Sequence, residues 1–193
     1  MHYLAITVRC AIGLVFLASS VGKLWGRGAF PAFVASLRGV GLLPRRLVRP
    51  AAIVLVVAEG VLCAALAVPT GLVPGLALVG AALLLGVFTV GVAVAVRRGT
   101  ASTCRCFGAS TERLGRRHVG RNILLTGLAT GGAAAAFAAA ASPPGSLRPA
   151  GLLLAGFAGL LLGFLATRFD DLAAVFRGVE HDPRLTTTFR SNR

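Results

Sequence analysis

LAITVRCAIGLVFLASSVGKL, residues 4–24, decides how this chain folds. As a helix rising about 1.5 Å per residue it is about 31 Å long, enough to cross the hydrocarbon core of a bilayer. The small residues of "FLASS" (16–20) invite a secretory signal reading, but no basic region precedes the apolar run. Lys23 and Trp25 close the run as interfacial anchors do. The stretch is therefore read as a retained span.

Four further apolar runs extend the pattern. The spans are expected at about 4–24, 50–68, 72–96, 119–141 and 149–167. The predicted fold is all-α: a polytopic transmembrane helix bundle with a four-helix core plus a fifth span. Residues 1–167 form the membrane domain and residues 168–193 a polar basic tail. Hydrophobic residues make up 56% of the chain and charged residues 13%. Soluble domains carry about 25% charged residues. A net charge of +14 would suggest nucleic acid in a soluble protein. In a chain built from apolar spans it points instead to loops at an anionic membrane surface, so the lipid bilayer is the expected partner and nucleic acid is not.

The basic residues divide unevenly. With five spans, the first loop, the third loop and the tail share one side and hold eighteen of the twenty; the other side holds Arg9 and Arg148. The positive-inside rule then predicts a multi-pass protein of the cell membrane, its N-terminus outside and its C-terminus cytoplasmic. In the first loop Phe30, Phe33, Val34 and Leu37 recur at helical spacing. They predict a short amphipathic helix along the membrane, or an ordinary connector. Pro44 and Pro50 bracket the basic turn that follows.

Three groups of residues could carry chemistry. Cys104 and Cys106 form a Cys-x-Cys in a basic loop, with Arg105 between them. A disulfide between residues so close needs a tight turn and is easily reduced, and neighbouring cations favour thiolate. Two idle thiols, or two ligands of a zinc set that His118 would leave incomplete, are the other readings. Glu59 is the only acidic residue inside a predicted span. An intramembrane carboxylate must pair with a cation or hold a proton, and Arg9 and Lys23 in the first span are the available partners. Cys10 and Cys63 lie at matching depths in the first two spans, a candidate second thiol pair or simply two packing residues. Glu59 and Cys63, four apart, share a helix face. Gly22/Gly26, Gly71/Gly75, Gly127/Gly131 and Gly159/Gly163 have the spacing of close helix packing. With three histidines and six acids, and no phosphate loop or hydrolase triad, hydrolytic machinery is not expected.

Several stretches resemble the MauE/DoxX-like redox-associated membrane proteins. They are GLVFLASSVGKLW (13–25), the Phe30–Pro44 loop ending SLRGVGLLP, VVAEG (56–60), and CRCFG (104–108) followed by HVGRNILL (118–125). The resemblance runs from about residue 4 to 140. It implies thiol–disulfide exchange in maturation, processing or export of an extracytoplasmic client, as in maturation of the small subunit of methylamine dehydrogenase. A thioredoxin-like redox protein and a secreted or periplasmic client are the implied partners. It also implies Cys104 and Cys106 as the redox pair, and Lys23 and Glu59 as intramembrane polar sites. If catalytic, the chain is a thiol–disulfide oxidoreductase; a quinone enters only as acceptor for thiol oxidation, and no residue identifies one. A non-catalytic scaffold or chaperone, and a small DoxX-like transporter, are the alternatives. An outer-face partner should meet cysteines outside, whereas the charge distribution puts the pair inside; electrons would then pass outward.

Overall fold

The computed structural model describes residues 1–69, 71–98, 116–141 and 148–178, with side chains except at 116–117 and 169–178. The described residues form six helices: α1 His2–Leu24, α2 Ala29–Val40, α3 Arg45–Ala67, α4 Val73–Arg97, α5 Arg116–Ala141 and α6 Pro149–Gly178. The all-α bundle read from the sequence is the fold. Five helices are long and apolar enough to cross a membrane, in α6 over Pro149–Arg168.

Local sequence explains the helix ends. Lys23, Arg38 and Arg97 sit in the last turns of α1, α2 and α4, where a cation meets the negative end of the helix dipole. α2 ends at Gly41, whose φ of 69° turns the chain and lets its N–H reach the Arg38 carbonyl at 3.1 Å. α3 starts at Arg45, one turn before Pro50. Pro44 precedes it, and its carbonyl accepts the Leu47 N–H at 2.8 Å.

α1 is the central helix. Val8, Ile12, Val15 and Phe16 pack with Leu66 of α3, Leu78, Ala81 and Leu85 of α4, and Leu125, Ala129 and Ala133 of α5. α6 lies against the opposite flank of α1. There a Cβ on Gly159 would strike the Thr7 carbonyl and stand 2.7 Å from Cys10 Cβ, and one on Gly163 would stand 2.7 Å from the Ala11 carbonyl. Glycine allows this approach, and Thr7 Oγ1 donates to the Ala155 carbonyl at 3.1 Å within it. Of the spacings read from sequence, Gly159/Gly163 makes a helix contact at both positions; Gly127 and Gly131 face open space. Large apolar side chains such as Leu83, Leu124, Val87 and Leu153 point outward and are more than two-thirds or close to two-thirds exposed. Such a surface matches acyl chains, not water.

Two contacts fix one end of the bundle. The Arg148 backbone N–H donates to Tyr3 Oη at 3.1 Å, and Arg9 reaches the carbonyls that close α3. The start of α1, the α3–α4 turn and the start of α6 therefore lie at one end, and Arg9 and Arg148 with them. The short helix expected in the first loop is α2. Its apolar face turns into the bundle: Phe33 is fully buried, and Phe30, Val34 and Leu37 pack with it against Ala52, Leu55 and Val56 of α3 and Phe88 of α4.

Candidate functional site: a buried ammonium–carboxylate cluster

Ser19 and Lys23 lie four apart on α1 and so face the same way. They face Glu59 of α3. Lys23 Nζ pairs with Glu59 Oε1 and donates to Ser19 Oγ at 2.9 Å. Ser19 Oγ stands 3.4 Å from Glu59 Oε1, and Ser20 Oγ 3.4 Å from Oε2. Both carboxylate oxygens thus have donors. The ammonium also sits over the Phe33 ring, 4.9 Å from its centroid, at cation–π distance. Lys23 is only 2% exposed, and Glu59 is buried with it. The sequence left Arg9 and Lys23 both open as partners of Glu59; the geometry selects Lys23.

Beside the pair is a cavity of about 20 Å³, room for one water molecule. Its polar wall is Ser19, Lys23 and Glu59. The rest is Val15 and Phe16 of α1, Leu55 of α3, and Leu84, Leu85 and Phe88 of α4. The site is a small polar spot among apolar side chains, where electrostatic interactions are weakly screened.

The shared face of Glu59 and Cys63 is turned to α1. Cys63 Sγ stands 3.8 Å from the Gly13 carbonyl. Cys10 instead meets α6 near Gly159. Cys10 and Cys63 are both free thiols. Cys104 and Cys106 lie outside the described residues, and the zinc reading that needs them lies outside with them. At the start of α5, Arg121 and Asn122 of the Arg-Asn motif are buried.

Sequence reasoning did not assign Ser19, Ser20 or Phe33 to this site. A signal for the site was available in composition. Of the twenty basic residues, nineteen are arginine and one is lysine, and that lysine is Lys23. An ammonium is compact and sets its three donors against one carboxylate oxygen, one hydroxyl and the Phe33 ring, which a guanidinium with five N–H groups could not do.

Residues 1–137 match the family described as methylamine utilisation protein MauE. A curated protein of Paracoccus versutus, "Methylamine utilization protein MauE", is 38% identical over 169 residues, covering 86% of this chain and 87% of that protein. No solved structure matches the chain.

Proposed function

This chain belongs to the MauE family, and from that membership we propose that it serves methylamine utilisation by thiol–disulfide exchange in the maturation, processing or export of an extracytoplasmic client. The observation that carries the reading is the family match over residues 1–137, which spans Cys104 and Cys106. The Cys-x-Cys lies between α4 and α5, in a segment flanked by Arg97, Arg98 and Arg116.

In the reducing direction the Cys104 thiolate attacks a disulfide of the partner and forms a mixed disulfide. Cys106 then attacks Cys104 Sγ and releases the partner as a dithiol. Two electrons and two protons pass to the partner, and a Cys104–Cys106 disulfide remains for a thioredoxin-like dithiol to reduce. In the oxidising direction the same steps run backwards, and the two electrons pass to an acceptor such as a membrane quinone. The uneven division of basic residues, eighteen on the side of the first and third loops and two on the other, supports a cytoplasmic placement of the pair, with the N-terminus outside.

The test is impermeant-maleimide labelling of Cys104 and Cys106 in intact cells and in inside-out vesicles, before and after mild reduction, beside growth on methylamine. Labelling only in inside-out vesicles, enhanced by reduction, is the expected result, with growth lost in Cys104→Ser/Cys106→Ser. Growth unaffected by the double substitution would sink the redox reading in favour of a scaffold.

A further inference from the structure

The Lys23–Glu59 cluster holds a primary ammonium on three kinds of recognition element at once: a carboxylate, a hydroxyl acceptor and an aromatic face. Each suits R–CH₂–NH₃⁺ as a chemical class. The carboxylate balances the charge, the Ser19 hydroxyl accepts an N–H, and the Phe33 ring meets the ammonium where no acceptor does. Ser20 Oγ stands 3.4 Å from the second oxygen of Glu59. The amine on these groups belongs to the only lysine in the chain.

We propose that Glu59, Ser19, Ser20 and Phe33 form a primary-alkylammonium site whose tethered and displaceable occupant is Lys23. A free alkylammonium takes the place of the lysine ammonium, and Lys23 swings its four-carbon stem out of the site. The choice of methylammonium as the free ligand rests on the methylamine role proposed above; the ammonium chemistry rests on the geometry alone.

Exchanging one ammonium for another leaves the buried charge unchanged, breaks no covalent bond and needs no co-reactant. Lys23 is well placed to leave. It is the penultimate residue of α1, next to Leu24 and the extended Trp25, which is 81% exposed. The small cavity beside the pair gives the incoming methyl group space adjoining the ammonium position.

The chain has two amines, Lys23 and the Met1 amino group, and Met1 is exposed. The full-length protein in phosphatidylcholine nanodiscs is acylated with an amine-selective reagent, and the Lys23 to Met1 labelling ratio is read by mass spectrometry. Met1 serves as internal reference for reagent consumed by added amine. Methylammonium chloride is expected to raise the ratio about tenfold when its concentration is about ten times its dissociation constant for the vacated site. Potassium and tetramethylammonium, which offer no N–H, are expected to leave it unchanged. Nanodiscs containing phosphatidylethanolamine test a lipid headgroup as the source of the same chemistry. A rise there also supports the site and assigns its occupant to the lipid.

Glu59→Gln should raise the ratio without any added amine and abolish the response. A ratio unmoved by methylammonium and by phosphatidylethanolamine, or moved equally by potassium, overturns the proposal. The response is expected to persist in Cys104→Ser/Cys106→Ser, so this site and the redox reading stand or fall separately.

Discussion

Arg9 holds Leu66. Arg9 Nε donates to the Leu66 carbonyl at 3.1 Å, while Nη2 and Nη1 reach the carbonyls of Val68 at 2.7 Å and Pro69 at 3.3 Å. Carbonyls at a helix end lack an intrahelical partner, and the guanidinium fork supplies three donors in one side chain. Arg9→Ala is expected to lower stability by about 2–3 kcal/mol, and Arg9→Lys by less, since an ammonium cannot span three acceptors. Thermal unfolding in nanodiscs checks this; an alanine variant as stable as wild type would remove the clasp from the account of the fold.

The Lys23–Glu59 pair should show strong coupling. Lys23→Met leaves a buried carboxylate without its cation and is expected to cost about 3–5 kcal/mol. Lys23→Met/Glu59→Gln removes both charges and should be destabilised by about 1–3 kcal/mol less than the sum of the single changes. A double-mutant cycle on unfolding midpoints measures the difference, and strict additivity would contradict a direct ion pair.

Close packing of α6 on α1 predicts a sharp contrast between glycines. Gly159→Ala drives a methyl group against the Thr7 carbonyl and Cys10 Cβ. A loss of about 1–3 kcal/mol is expected. Gly127→Ala meets nothing within 4 Å. It should be neutral or up to about 1 kcal/mol stabilising through helix propensity. Comparing the two variants in one unfolding assay decides the matter.

Phe33 is the single buried residue of α2. Phe33→Ala should lower stability by about 3 kcal/mol and release the helix from α3 and α4. Hydrogen exchange should accelerate across residues 29–40 and stay slow in the core of α1. Unchanged protection of α2 would mean that another contact holds it.

The spans were legible because each is a long apolar run, and the alternation of basic loops followed from them. α2 was legible from Phe30, Phe33, Val34 and Leu37, but not which way it faces. Helical spacing identifies a stripe without saying whether lipid or protein covers it, and here Ala52 and Phe88 provide a protein surface. Glu59 stood out because a carboxylate in a span needs a reason. Its choice of Lys23 over Arg9 did not, because depth along α1 is set by how α3 slides against it. The Ser19 and Ser20 hydroxyls were hidden for a related reason: serines in an apolar helix commonly bond their own backbone, and only the partner helix brings Glu59 within their reach. Cys104 and Cys106 remain the sequence's own contribution, outside the described residues.

The central position of α1 has a consequence for biogenesis. This helix leaves the ribosome before the other five, yet Glu59 lies 36 residues after Lys23, and Pro69 lies 60 after Arg9. At about 5–20 residues per second, the ammonium waits about 2–7 s for its carboxylate. Through that interval the newborn first helix keeps Lys23 extended toward the headgroups, as a lysine near a helix end does. Burial of Lys23 is therefore a late step of assembly, reached only once α3 has entered the membrane.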